Sequence, residues 1–94
     1  MKEKINKKFE LGDVLITKNL HDFVMKNNLP ILKYLRRHQA CDWGDLDDAK
    51  WNKNNLAIEN AQEILNIYKF NDQNIFILTE ADRSTTTMLL ENEY

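Results

Sequence analysis

His-Gln-Ala-Cys-Asp-Trp-Gly-Asp-Leu, residues 38–46, divides the chain into two halves of different character. Gly44 permits a backbone turn that a Cβ would resist, and Trp43 carries enough apolar surface to pin that turn to a core. Asp45 then stands where it can cap a following helix, with Asp48 at the third position of a capping-box-like arrangement. Upstream of this turn the periodicity is helical, with basic edges. Downstream come one acid-started helix and three strand-like runs.

Working back from the turn, Pro30 can open a helix without losing a needed donor, and Ile31, Leu32, Leu35 and His38 would line its inner side. Before it, Thr17 is a plausible cap for a helix over 18–27, whose inner stripe is Leu20, Phe23, Val24 and Asn27. Asn28 suits the left-handed residue that ends such a helix. Residues 9–16 alternate in part and read as a short strand, and the basic arm 1–8 is expected to fray. Working forward, a third helix is expected from about 46 to 60, with Leu46, Ala49, Leu56, Ala57 and Ala61 in one arc. Trp51 and Ile58 form a separate ridge on it. Strands follow at 63–70, 75–79 and 85–90, joined by turn-forming stretches at 71–74 and 81–84. Ile75, Phe76, Ile77 and Leu78 are apolar in succession, which predicts a central strand covered on each side. The expectation is one α+β domain over 9–94. Its three short helices pack on a C-terminal three-stranded antiparallel sheet, to which the N-terminal strand can add.

A chain of 94 residues with two Gly and one Pro supports a single ordinary core and argues against disorder. One cysteine, Cys41, cannot form an internal disulfide or a cysteine-built zinc site, and it suits a reducing compartment. The apolar runs are too short to span a membrane and no signal-peptide stretch follows the charged start, so a cytoplasmic location is expected. Residues 1–40 hold nine Lys/Arg against four Asp/Glu, or +5, while residues 41–94 hold four against eleven, or -7. A bipolar solvated surface explains this division, and it can also steer a charged partner. Free nucleic acid is disfavoured, because the chain is acidic overall and lacks interleaved aromatic and basic residues.

The order of motifs resembles a family of small plasmid-related bacterial proteins. That family carries Gly-Asp-Trp-Gly-Asp-Leu and Ile-Thr-Glu-Ala-Asp-Arg-Ser motifs. The residues that carry the likeness are Arg37-His38, Asp42-Trp43-Gly44-Asp45-Leu46, Asn54, Thr79-Glu80-Ala81-Asp82-Arg83-Ser84, Thr86-Thr87 and Glu93-Tyr94, across about residues 9–94. Cys41 stands at the family's first Gly, and Lys50 where an acid is usual. The resemblance implies a mobile-element setting, on plasmids or phage, and specifies no activity or ligand.

Two polar groups are candidate chemistry. His38, Asp42 and Asp45 form one; Glu80, Asp82, Arg83 and Ser84 form the other. If the fold joined them, carboxylates, an imidazole and a guanidinium could serve a divalent metal or acid–base catalysis. The structural reading is stronger: capping by Asp45, turn formation by Asp82 and Ser84, and pairing of Arg83 with Glu80 or Asp42. Neither a nucleophile elbow nor a phosphate-cradling glycine loop is present. No metal or cofactor is therefore expected, and catalysis is the poorer reading. The candidate partner surface is the Trp51/Ile58 ridge with Asn54 and Asn55 between, set against their burial in the core. The function expected is binding of a macromolecule, a protein first and a second copy of the chain next. Inhibition of a host defence system is one concrete form.

Overall fold

The computed structural model describes residues 8–44 and 46–94. Its elements are β1 (Asp13–Ile16), α1 (Lys18–Asn27), α2 (Ile31–Gln39), α3 (Asp48–Asn60), β2 (Ile64–Phe70), β3 (Gln73–Thr79) and β4 (Thr85–Leu90), followed by a 3₁₀ turn at Glu91–Glu93. The architecture is α+β. The sheet has four strands, however, in the order β1-β4-β3-β2, with β1 parallel to β4 and the other pairs antiparallel.

A close backbone approach brings the N-terminal strand in. Gly12 has φ +65°, and a Cβ there would lie 2.1 Å from the Ser84 carbonyl oxygen, so only glycine lets the chain pass this turn. Asp13 N–H then donates to Ser84 O at 2.9 Å, and Thr17 N–H to Met88 O at 3.1 Å. Residues 1–7 of the basic arm lie outside the described residues; Lys8 N–H donates to Gln39 O at 2.8 Å.

The first helix matches its reading. Thr17 Oγ1 accepts the Leu20 N–H at 3.2 Å, and Asn28 ends the helix in the left-handed region at φ 53°. In α2 the inward residues are Tyr34, Leu35 and His38, while Leu32, expected inside, is 67% exposed. Tyr34 takes that place because its ring packs on Tyr68 and Phe70 across the sheet. The third helix begins later than expected. Asp47 is its cap, accepting the Lys50 N–H at 2.9 Å, where the sequence points to Asp45. Asp45 itself lies outside the described residues. Its buried positions are Asn54 and Ala57, flanked by half-buried Trp51 and Ile58, whereas Leu56 faces outward at 53% exposure. A polar residue stands on the inner stripe, which is why the apolar arc misjudged the helix's rotation.

The register places Ile64, Asn66 and Tyr68 of β2, Ile75, Ile77 and Thr79 of β3, and Thr86 and Met88 of β4 on one face. The main core forms there, where Leu20, Leu29, Tyr34 and Leu35 close over Tyr68, Ile75, Ile77 and Met88. Each such side chain contributes about 1.5–3 kcal/mol by leaving water. A second cluster, Phe9, Trp43, Ala57 and Ile64, sits at the end of this face, with Trp51, Ile58, Leu46 and Cys41 packed against it. Gly44 makes a parallel bridge to Ile67, so the Trp43 turn also covers the outer edge of β2. A Cβ on Gly44 would lie 2.5 Å from the Tyr68 ring.

Candidate functional site

His38, the first residue of the turn sequence, is fully buried. The Ile67 N–H donates to Asn66 Oδ1 at 2.9 Å, which turns the Asn66 amide nitrogen toward the Tyr68 hydroxyl at 2.7 Å and His38 Nδ1 at 3.4 Å. Nδ1 is therefore an acceptor, and the proton sits on Nε2, donated to Thr79 Oγ1 at 2.9 Å. Thr79 passes the direction on to Thr86 Oγ1 at 2.8 Å, and Thr86 donates to Leu11 O at 2.7 Å. Tyr68 donates to the Asp42 carbonyl. Each donor has an acceptor, and the chain of bonds joins α2, the Trp43 turn, three strands and the N-terminal entry. Burial, with the charge of Arg83 adding to it, lowers the His38 pKa to about 3. A neutral imidazole sealed from solvent with both nitrogens committed cannot act as a proton shuttle or metal ligand.

The other polar candidates are also engaged locally. Asp42 pairs with Arg37 at 2.8 Å from Nε, and this bond holds its carboxyl below the usual range. The same guanidinium lies 4.7 Å above the Tyr68 ring. Arg83 pairs with neither Glu80 nor Asp42. Its guanidinium donates to Gln62 O at 2.6 Å and Ala57 O at 3.0 Å, and also to Glu80 O and Ala81 O at 3.2 Å each. It thus closes the C-terminus of α3, where a cation meets the negative end of the helix dipole. Asp82 accepts the Ser84 N–H at 2.9 Å within its turn, and Glu80 is exposed. Among the described residues no three His, Cys, Asp or Glu side chains are grouped as a metal would require. Burial raises the Cys41 thiol pKa, which leaves it protonated and unreactive.

The α3 candidates divide between core and surface. Trp51 and Ile58 are half-buried against the Trp43 cluster. Asn55 accepts the Trp43 indole N–H at 2.9 Å, and buried Asn54 donates to Leu65 O at 2.9 Å. The ridge is the rim of the second cluster, and these two asparagines tie it to the turn and the sheet.

A partly covered apolar face lies on the reverse of the sheet, where Leu15 is 52% exposed, Leu65, Ile67 and Leu78 are half-buried, and Phe76 and Leu89 are buried. The register puts Leu15, Thr87, Leu78 and Leu65 in one row across all four strands, and Leu89, Phe76 and Ile67 in the next. None of these belongs to either helix-covered cluster. The expectation that β3 is covered on both sides holds for Ile75, Phe76 and Ile77, which are all buried, while Leu78 is half-buried. The short α1–α2 hairpin roofs one face, and Tyr94 leans on Phe76 from the other side, with ring centroids 5.1 Å apart. At the β2 end this surface deepens into a cleft of about 140 Å³ between α3 and the sheet. Its floor is Leu46, Leu65 and Ile67, its α3 wall carries Lys50, Lys53 and Asn54, and Glu63 and Tyr94 complete it. Sequence reasoning missed the cleft because its parts come from four separate segments. The two-sided apolarity of β3 was the available signal for the face beside it.

No protein-family model, curated protein or solved structure matches the chain. No helix among the described residues is long and apolar enough to cross a membrane.

Proposed function

We propose that this protein acts by binding another protein through the partly covered reverse face of the sheet, in the setting of a bacterial mobile element. The observation that carries this reading is the apolar row of exposed Leu15 and half-buried Leu78 and Leu65, with half-buried Ile67 beside it, left outside both clusters. Apolar surface of this kind is stabilised by being covered. A four-stranded sheet face is broad and flat, which suits a protein surface, whereas small molecules favour enclosed concavities. The committed state of His38, Asp42 and Arg83 supports binding over catalysis. The mobile-element setting comes from the resemblance of the Asp-Trp-Gly-Asp-Leu and Thr-Glu-Ala-Asp-Arg-Ser stretches. Stoichiometric inhibition of a host defence protein is the concrete form proposed.

The test compares wild type with Leu78→Lys, whose long stem still covers the sheet while its charge opposes docking. Tagged protein is recovered from host lysate, bound proteins are identified, and each is re-tested as a purified pair. A partner held by wild type and lost with the folded variant supports the reading. Equal capture by both, or none, removes it. Self-association detected by sedimentation and lost in Leu78→Lys would make the partner a second copy.

A further inference from the structure

The cleft beside α3 has a chemical character that the flat face lacks. Asn54 is only 4% exposed and donates through Nδ2 to Leu65 O at 2.9 Å, yet no hydrogen bond among the described residues ends on its Oδ1. Among the described residues no buried side-chain oxygen or nitrogen is left without a partner, so Oδ1 must be the solvent-reached part of this side chain, and Asn54 lines the cleft. An otherwise buried carboxamide therefore presents an acceptor to the cavity. Lys50 and Lys53, exposed and one helical turn apart, stand on the same wall. The floor of Leu46, Leu65 and Ile67 offers no polar side chain.

These groups ask for three things at once: an N–H for Asn54 Oδ1, a negative charge for the lysines, and an apolar body for the floor. A bare phosphate satisfies only the second and has no N–H to give the carboxamide oxygen. A metal cation is repelled by both ammoniums. Glu63 at the rim opposes a second negative charge, which disfavours a polyanion such as nucleic acid. The volume of about 140 Å³ is close to that of a cavity that holds one benzene-sized group.

From this we infer that the cleft binds the C-terminal residue of a polypeptide partner. Its carboxylate lies on Lys50 and Lys53, its amide N–H on Asn54 Oδ1, and its apolar side chain on the Leu65/Ile67 floor. Capture of a chain terminus by fixed polar groups is a recurrent mode of peptide recognition. The inference rests on the protein-binding reading and adds to it the part of the partner that enters.

The experiment is a ¹H–¹⁵N NMR titration with N-acetyl-leucine, beside N-acetyl-leucinamide, which lacks the charge, and 4-methylpentanoate, which lacks the N–H. With N-acetyl-leucine, shifts concentrated on Lys50, Lys53, Asn54, Leu65 and Ile67 are expected, with Kd of about 1–10 mM, typical of so small a ligand. Each control should bind about tenfold more weakly, the effect of losing one polar contact of about 1.4 kcal/mol. The double variant Lys50→Glu, Lys53→Glu should keep its spectrum elsewhere and lose the response. No shift at about 50 mM, well above any useful affinity, or equal binding of the neutral amide, overturns the inference. Leu78→Lys should bind the probe as wild type does. Partner capture without probe binding sinks the cleft alone, and probe binding without capture sinks the sheet-face reading alone.

Discussion

The two faces of β3 carry similar side chains but differ in what covers them. Ile75 and Ile77 are fully buried under α1 and α2, with the His38–Thr79–Thr86 bonds continuing the same layer. Phe76 and Leu78 look the other way, onto a surface that no helix-built cluster includes. Polar groups follow the same division. On the covered face they are mutually satisfied and fix the packing, so removing one leaves its partner stranded in a dry layer. On the reverse side Lys50, Lys53 and the Asn54 oxygen remain at the cleft surface. Side-chain apolarity alone therefore does not distinguish a helix-covered face from a partly covered one.

Disrupting the covered side should have the largest effect. Trp43→Ala removes a fully buried indole that stacks near Phe9 and meets His38 edge-on, and urea unfolding should show a loss of about 3–5 kcal/mol. Acid acts on the same layer. The unfolded chain protonates His38 near its ordinary 6.5 while the folded chain holds out to about 3. Stability is therefore complete above pH 6.5 and falls as pH drops through that window, by about 1.4 kcal/mol per unit at the steepest. Between pH 6.5 and 5, His38→Gln should flatten this slope in denaturation curves, even though its absolute stability is lower.

A smaller loss is expected where the turn meets α3. Arg83→Met keeps the stem beside Phe9 but removes the donors to Ala57 and Gln62, for a cost of about 1–2 kcal/mol by thermal unfolding. It should also speed amide exchange at the end of α3. Least affected should be the partly covered side. Leu78→Lys is expected to change stability by under about 1 kcal/mol while abolishing partner capture. A loss as large as that of Trp43→Ala would place Leu78 in the core and erase the contrast between the faces.

Legibility followed the range of the interactions. Thr17, Asn28 and Pro30 act within one turn of chain, so the ends of α1 and α2 could be read from their neighbours alone. Two aspartates two positions apart are equally good caps by residue type, so sequence alone did not single out Asp47, which caps α3. Trp51 looked like a free ridge because the stripe it belongs to runs through Asn54, whose burial makes sense only once Leu65 O is opposite. Arg83 looked like a partner for a nearby acid, yet two of the four carbonyls it holds, Ala57 and Gln62, lie at the end of α3 more than twenty residues upstream.

The sequence by itself determined the elements, their order, the glycine-dependent turn and the apolarity of β3, because these rest on backbone preference and periodicity. Tertiary structure alone decided that β1 joins β4 in parallel and that His38 is sealed in a directed hydrogen-bond chain. It also decided that one sheet face is only partly covered and that α3 meets β2 in a cleft. Each of these depends on segments distant in the chain meeting in space, and on how much surface a short helical hairpin can cover.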